Sequence, residues 1–166
     1  MTKKIAVVAA NGKAGKFIVK EAVQRDMDVT AFVRSENATV AQKAVVKDIM
    51  DLTAEDLAGF DAVVDAFGAW TPETLSQHST TLEHLCDMLS GSETRLLVVG
   101  GAGSLYVNPE HTVAVSEGPD FPEMFKPLAS AMGAALADLR KRDDVNWTYV
   151  SPAADFQFDG ERTGGY

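Results

Sequence analysis

Cysteine and long apolar runs are scarce in this sequence, and each scarcity excludes a class of protein. Cys86 is the single cysteine among 166 residues, so the chain can form neither an intramolecular disulfide nor a cysteine-based metal cluster. The apolar runs are too short to cross a membrane, and the run nearest the N-terminus leads into a glycine turn, unlike a signal peptide. These features predict a cytoplasmic protein with no membrane partner.

Basic residues are also few. The chain has 15 lysines and arginines against 24 aspartates and glutamates, for a formal net charge of -9. Nucleic-acid binding needs a dense basic face, so we expect no nucleic-acid partner. An anionic ligand would depend on local positive charge, for which the candidates are Lys13, Lys16 and Arg34. The length and the 46% hydrophobic content predict one domain over residues 1–166, with a sizeable core.

Apolar runs alternate with helical patterns along the chain. Strands are predicted at 5–10, 29–34, 44–46, 61–67, 95–101 and 146–150. Helices are predicted after the first glycine turn, briefly after Thr53, from Thr71-Pro72 onward and over 123–141, with a loop at 105–120. Such an alternation predicts an α/β fold of the Rossmann type, in which a doubly wound parallel sheet forms the middle of three α/β/α layers.

The first strand runs into the turn Ala9-Ala10-Asn11-Gly12-Lys13-Ala14-Gly15, which opens a helix. A glycine at 12 lets the backbone approach a phosphate, and a glycine at 15 lets the helix pack closely on the sheet. The helix N-terminus adds free N–H groups and the positive end of its dipole. Ala9 stands where such turns usually have their first glycine. We expect Ala9 to keep a negative φ, because a left-handed conformation would strain its methyl group.

Six features together resemble the atypical short-chain dehydrogenase/reductase group, and within it the NAD(P)H-binding, NADH-flavin reductase-like subgroup related to flavin reductase (biliverdin reductase B). They are the 9–15 turn, Arg34 at a strand end, KDIMD at 47–51, DAFGAWTPETL at 65–75, VVGGAGSLYVNPEH at 98–111 and WTYVSPAADFQFDGERTGGY at 147–166. Members of the subgroup continue past the equivalent of ERTGGY with a further strand and helix. The resemblance therefore implies that part of the substrate side is not contained in these residues.

The resemblance also implies where a dinucleotide would lie. It assigns the pyrophosphate to Ala9, Asn11, Gly12, Lys13, Ala14 and Gly15, and the nicotinamide half to Phe67, Gly68 and Ala69. Arg34 would meet the adenosine ribose, where a guanidinium suits a 2′-phosphate and favours NADP over NAD. A solvated arginine at a strand end is the alternative. Asp48 and Ile49 would hold the adenine, although Asp48 could equally cap a loop, and both interpretations stay open.

Catalytic residues are harder to identify. Related reductases protonate their substrate through a Tyr-x-x-x-Lys pair, but Glu110 and Ala153 stand four residues after Tyr106 and Tyr149, and Tyr166 ends the sequence. An active serine expected after the fifth strand is replaced by Ala102. Weak catalytic candidates are Ser104, Tyr106 and His111, and candidate walls of a substrate pocket are Trp70, Tyr106 and Phe156.

The remaining polar and aromatic residues allow simpler interpretations. Trp70 would either stack on a flat acceptor or seal the core. His78 falls on the apolar stripe of its helix, as a satisfied core histidine would, whereas His84 lies off that stripe and is expected to be solvated. No grouping of His, Asp and Glu has the spacing of a metal site.

Two functions remain open at this point. One is an oxidoreductase that transfers hydride from NADPH directly to a flavin or another flat acceptor, with the flavin as a substrate; such a transfer needs mainly correct positioning. The other is a non-catalytic NADP-binding sensor that acts through a partner protein, which the missing Tyr-x-x-x-Lys pair favours. A nucleotide-sugar epimerase is disfavoured, because it would need the same tyrosine. We expect a monomer or a homodimer.

Overall fold

A computed structural model of the chain describes residues 2–157, Gly160 and Gly164. Tyr166 and most of the 161–166 segment therefore lie outside the described residues. The described part forms a six-stranded sheet, with every neighbouring pair of strands parallel and with the order β3-β2-β1-β4-β5-β6. The strands are β1 Lys4–Val8, β2 Asp28–Val33, β3 Lys43–Val46, β4 Ala62–Asp65, β5 Arg95–Val99 and β6 Trp147–Val150. The predicted doubly wound fold is confirmed, because the chain first builds the sheet outward from β1 to β3 and then returns to build the other half from β4.

Three helices of the described chain cover the two faces of this sheet: α1 Lys13–Gln24, α2 Gln77–Leu89 and α3 Lys126–Leu139. Successive strand residues point to opposite faces, so the central strands β1, β2, β4 and β5 each contribute to two apolar clusters. In β2, Phe32 joins the cluster under α2 and α3, while its neighbours Ala31 and Val33 join the cluster under α1. The result is the predicted three-layer arrangement in one domain.

The strands match the sequence pattern because most of them are buried. β1 ends in three buried valine and alanine side chains, and β2 is buried along five of its six residues. The continuous apolar runs predict strands that are buried on both faces of the sheet. This prediction is wrong for β3, which forms one edge of the sheet and is mostly exposed.

The short helix expected after Thr53 is absent from the described structure. The Thr53 N–H and hydroxyl both donate to Asp56 Oδ2, at 2.8 Å each, and Lys47 Nζ pairs with the same carboxylate at 2.5 Å. The Asp56 N–H donates back to the Thr53 hydroxyl at 3.3 Å. These bonds close a turn, and Gly59 then takes a left-handed φ of 79° that ends any helical path.

Helix α2 begins at Gln77 rather than at Thr71-Pro72 as predicted. Backbone bonds from Thr74 N to Thr71 O (2.9 Å) and from Gln77 N to Thr74 O (2.9 Å) span three residues each, so tight turns precede the helix. The apolar spacing predicts that the inner stripe of this helix is Leu75, His78, Leu82, Leu85, Cys86 and Leu89. The last four of these are buried as predicted, whereas Leu75 precedes the helix and His78 is half-buried. The predicted 123–141 helix is confirmed as α3, preceded by one 3₁₀ turn at Glu123–Phe125.

The predicted loop after β5 is confirmed and contains a short hairpin. Val107 N donates to Val113 O at 2.9 Å, and Val115 N donates to Leu105 O at 2.8 Å. Gly100 follows the last residue of β5. A Cβ at this position would lie 2.0 Å from Cε1 of the Tyr149 ring. The ring of Tyr149 therefore packs on bare backbone, and this contact ties the end of β5 to β6.

We predict that Gly100→Ala destabilises the fold by about 1 to 3 kcal/mol, because the methyl group must displace an aromatic ring packed between two strands. Gly133→Ala is the matched control, since a Cβ there meets nothing within 4 Å and the residue lies inside α3. That control should gain about 1 kcal/mol from helix propensity. Urea unfolding measures both, and a Gly100→Ala protein as stable as the wild type would contradict the packing argument.

Candidate functional site

The candidate site lies at the carboxyl edge of the sheet, where the strand order reverses between β1 and β4. In open parallel sheets the connections on either side of this point leave in opposite directions, which opens a crevice. The 9–12 turn leaves β1 at this point, and the 66–70 segment leaves β4 beside it. The 66–70 segment begins against the end of β1, because Ala66 N donates to the O of Val8, the last residue of that strand, at 3.1 Å.

Ala9 takes the left-handed conformation, with φ 57°, so the expectation of a negative φ is wrong. Gly12 N donates to Ala9 O at 3.0 Å, and Ala10 N donates to Phe32 O at 3.2 Å. These two bonds fold the turn back on itself and anchor it to β2. The surrounding contacts therefore impose a conformation at residue 9 that its side chain disfavours by about 1 to 2 kcal/mol.

Gly12 and Gly15 serve the close approach of the helix to this turn. A Cβ on Gly15 would lie 2.7 Å from both Ala9 O and Ala10 O, so only glycine fits without a backbone shift. A Cβ on Gly12 would lie 3.2 Å from Ala9 O. Gly12 is the N-cap of α1, with φ -66°, and it offers no side-chain cap to the first turn of the helix.

The start of α1 has the electrostatic character of an anion site. The first N–H groups of a helix have no intrahelical acceptor, and here they meet the positive end of the dipole. The first turn contains no acidic residue, and Lys13 and Lys16 are exposed there. A phosphate at this point would meet backbone donors and two ammonium groups, without a competing carboxylate from the first turn.

Asn11 connects this turn to the loop after β2. Its Nδ2 donates to Glu36 O at 2.9 Å, and its Oδ1 accepts from Ala38 N at 2.9 Å. The side chain is thus committed to positioning the loop, which leaves its backbone for a ligand. Arg34 opens this loop directly after β2, is exposed, and forms no ion pair with any residue from 2 to 157.

Asp48 acts as a cap, which was one of its two interpretations. Its Oδ1 accepts from Met50 N at 2.9 Å and closes the 3₁₀ turn Ile49–Asp51. Ile49 is buried under β2 and β1 in the α2 and α3 cluster. Capping uses one carboxylate oxygen, so the geometry also leaves an oxygen at the end of β3 for a ligand amine.

The 67–69 segment is expected at the end of the fourth strand. It lies just beyond that strand, because β4 stops at Asp65. The Phe67 N–H donates to Asp65 Oδ1 at 3.0 Å, and the Phe67 ring packs edge-on against His78 at 5.7 Å. Nε2 of His78 lies 3.1 Å from Ala69 O, so this half-buried histidine is satisfied by the turn, as expected. Trp70 is 75% exposed, which excludes the interpretation that it seals the core.

Asp65 is a site residue that the sequence interpretation missed. Its carboxyl group is buried and lines a cavity of about 20 Å³, enough for one water molecule, together with His78, Met132 and Tyr149. Burial raises the pKa of this carboxyl group to about 6, although the Phe67 N–H favours its charged form. The available signal was an acidic residue inside the otherwise apolar run DAVVDAF.

The structure brings Ser104 together with two hydroxyls that the sequence interpretation did not connect to it. Its Oγ donates to Gly101 O at 3.0 Å and lies 3.1 Å from Ser151 Oγ. The Gly101 N–H donates to the Tyr149 hydroxyl at 3.4 Å, and Ser104 also interacts with that phenol. Ser104 and Ser151 are half-buried at the carboxyl ends of β5 and β6.

Tyr106 and His111 form a separate exposed pair. Their rings stack at 5.2 Å, and Arg140 lies over the Tyr106 ring at 5.9 Å while Nη1 of Arg140 donates to its hydroxyl at 3.3 Å. Phe156 is also largely exposed. His84 is not solvated as expected, since it is half-buried and its Nε2 lies 2.9 Å from Leu52 O.

The described residues contain no group of three His, Cys, Asp or Glu side chains that could hold a metal ion. None of the described helices has the length and apolar character that a membrane span requires.

Comparison with known proteins gives a consistent result. Residues 9–166 match the model of the family described as NAD(P)H-binding. The chain is 45% identical over 166 residues to the protein YwnB of Bacillus subtilis, a match covering 98% of this chain and 78% of YwnB. A crystal structure from Streptococcus pneumoniae, named as a "putative NADH-flavin reductase", is 56% identical with a TM-score of 0.95, covering 98% of this chain and 77% of that one. The oxidoreductase YlbE from Lactococcus lactis shares the fold, with a TM-score of 0.66. It is 24% identical, and the match covers 89% of this chain and 67% of YlbE.

The left-handed Ala9 generates a stability prediction. Ala9→Gly should raise the free energy of unfolding by about 0.5 to 1 kcal/mol, because relief of the left-handed strain exceeds the added freedom of the unfolded chain. Ala10→Gly is the control, since Ala10 is buried and has no positive φ, and it should lose about 1 kcal/mol. Chemical unfolding of both variants tests this, and equal losses would contradict the strain at Ala9.

The buried carboxyl group generates a pH prediction. Between pH 4 and 6, Asp65 is ionised in the unfolded chain, from its ordinary pKa of 3.8, but protonated in the fold, so rising pH lowers wild-type stability across this window. Asp65→Asn lacks this effect and keeps the acceptor for Phe67 N–H. Its advantage over the wild type should grow by about 2.4 kcal/mol from pH 4 to pH 7. Urea unfolding of both proteins at the two pH values measures this difference, and a constant Asp65→Asn difference would contradict the buried charge.

Proposed function

The chain belongs to the NAD(P)H-binding family, and from this premise we propose that it is a reductase that transfers hydride from NADPH to a flavin or another flat acceptor. The observation that carries the proposal is the turn at the carboxyl edge of the sheet, where uncapped helix N–H groups, exposed lysines and a glycine-dependent close approach meet beside the strand-order reversal. A pyrophosphate there would receive the donors that such a turn offers to dinucleotides. The backbone N–H donors and the lysine charges of this turn fit the pyrophosphate of the cofactor.

The adenosine half of the cofactor would extend toward β2 and β3. Arg34 is exposed beside the loop that Asn11 holds, so its guanidinium is available to a 2′-phosphate. Asp48 retains a carboxylate oxygen for the adenine amine beyond the one that caps the turn. Arg34 supports NADPH over NADH, since a guanidinium pairs with phosphate through charge-assisted bonds, whereas Asp48 would serve either cofactor.

The nicotinamide half would extend toward the 67–69 segment. The segment is held in shape by Asp65 and His78, and Gly68 is exposed there, so backbone is available to a flat ring. When bound, the reduced cofactor supplies hydride. Exposed Trp70 and Phe156 are available to stack on an acceptor. The Streptococcus pneumoniae relative is named for flavin reduction, which supports hydride transfer to a flavin or a similar acceptor.

Arg34 provides the test of cofactor choice. Arg34→Ala should weaken NADPH binding by about 1.5 to 3 kcal/mol, the range for a charged hydrogen bond, and leave NADH binding nearly unchanged. Lys20→Ala, which removes the same charge from an exposed position farther along α1, is the control. Fluorescence titration with both cofactors measures the effect. An equal loss for NADPH and NADH would refute the assignment of Arg34 to the 2′-phosphate.

An activity assay on the same protein distinguishes a reductase from an NADP-binding sensor. NADPH oxidation is followed with FMN, FAD, riboflavin and menadione as acceptors. Turnover well above the uncatalysed rate with any of them supports the reductase. Tight NADPH binding with no turnover across the panel would refute it in favour of a sensor.

A further inference from the structure

Three hydroxyl groups meet at the end of the site where an acceptor would lie. Ser104 follows β5, Ser151 follows β6, and Tyr149 lies within β6. Ser104 Oγ is 3.1 Å from Ser151 Oγ and also interacts with the Tyr149 phenol. The pairing of β5 with β6 thus brings Ser104 close to Tyr149 and Ser151, which lie 45 and 47 residues later in sequence, and places a partly buried phenol beside two half-buried serines.

The phenol at the inner end of this chain is held in place. Its ring packs against Gly100, where even a methyl group would lie 2.0 Å from Cε1. The Gly101 N–H donates to its oxygen at 3.4 Å, and this N–H and Ser104 both favour the ionised phenol, whereas partial burial raises its pKa. The charged groups that act on it are Arg140, which favours ionisation, and Asp65, which opposes it. The oxygen that would carry the charge is therefore oriented by the Gly101 N–H.

We propose that Tyr149 and Ser104 supply the proton for acceptor reduction and replace the missing Tyr-x-x-x-Lys pair. This inference rests on the proposed reductase function and narrows its acceptor to compounds that become anionic on oxygen when reduced, as quinones do. Two observations carry it. The hydroxyls lie at the carboxyl ends of β5 and β6, beyond the strand-order reversal where a nicotinamide would end. Ser104 Oγ lies 3.1 Å from Ser151 Oγ, and the Gly101 backbone bonds both Ser104 Oγ, at 3.0 Å, and the Tyr149 hydroxyl, at 3.4 Å.

The step balances as follows for a quinone. One carbonyl oxygen of the quinone receives the hydride, which carries two electrons and one proton, and the negative charge comes to lie on the other oxygen. That oxygen takes the proton of the Ser104 hydroxyl as Ser104 takes the proton of Tyr149. The Tyr149 phenolate, stabilised by the Gly101 N–H, is reprotonated by water. The net reaction consumes one hydride and one solvent proton and yields the hydroquinone. Ser151 orients Ser104.

A measurement without turnover tests the hydrogen bond itself. Tyrosinate absorbance is titrated in the cofactor-free wild type, in Tyr149→Phe, which identifies the Tyr149 transition, and in Ser104→Ala. If Ser104 hydrogen-bonds the phenol, Ser104→Ala should raise the pH of the Tyr149 transition by about 0.5 to 1, because a donor to the phenolate is lost. An unchanged transition would overturn the proposal.

Kinetics with NADPH and menadione test the proton transfer. Tyr149→Phe keeps the ring that packs on Gly100 and should lower kcat about 100-fold, as should Ser104→Ala, with NADPH binding unchanged. Ser104→Thr should retain most of the activity. Ser92→Ala, which removes a hydroxyl bonded to Thr94 N before β5 at the opposite edge of the sheet, is the control. The wild type should also show a solvent deuterium isotope effect on kcat that Ser104→Ala loses.

The outcomes separate this inference from the proposed function. Turnover that stays within twofold of the wild type in both Tyr149→Phe and Ser104→Ala would overturn the proton relay and leave the reductase standing. A wild type without turnover on any acceptor would overturn both. A loss of kcat accompanied by an equal loss of NADPH affinity would assign the hydroxyls to cofactor binding and overturn the relay.

Discussion

The close approach of helix α1 to the end of β1 is the constraint on which the rest of the site depends. A Cβ at Gly15 would lie 2.7 Å from two backbone carbonyl oxygens, so the helix can come this near only with glycine at that position. The approach places uncapped N–H groups at the carboxyl edge of the sheet and forces Ala9 into a left-handed conformation. The strain at Ala9 thus lies beside the proposed anion site, and backbone contacts to Gly12 and Phe32 hold it.

Apolar and polar side chains occupy different parts of the sheet. The middle of the sheet is packed between helices with aliphatic side chains. Its carboxyl edge instead collects Asp65, His78, Tyr149 and the serine hydroxyls, each with a hydrogen-bond partner. Burial of Asp65 beside them costs stability at neutral pH, which is the kind of cost found where a site requires a particular group.

Patterns that depend on burial were predictable from the sequence, and patterns that depend on competing local bonds were not. The strands and the stripe of α2 follow from apolar spacing, because each of those residues enters a core. The missing helix after Thr53 and the late start of α2 arise where side-chain and tight-turn bonds compete with the helical ladder. The role of Asp48 was likewise not predictable from the sequence, since a carboxylate in a loop can either cap a turn or bind a ligand.

The sequence by itself determined the fold class, the position of the glycine turn and the basic residue after β2, because these depend on local spacing and on residues adjacent in the chain. Only the tertiary structure decided the φ of Ala9, the burial of Asp65 and the meeting of Tyr149 with Ser104 and Ser151. The physical reason is that each of these properties is set by groups distant in sequence: β2 holds the turn, α2 and α3 remove water from Asp65, and the pairing of β5 with β6 brings the hydroxyls within hydrogen-bonding distance.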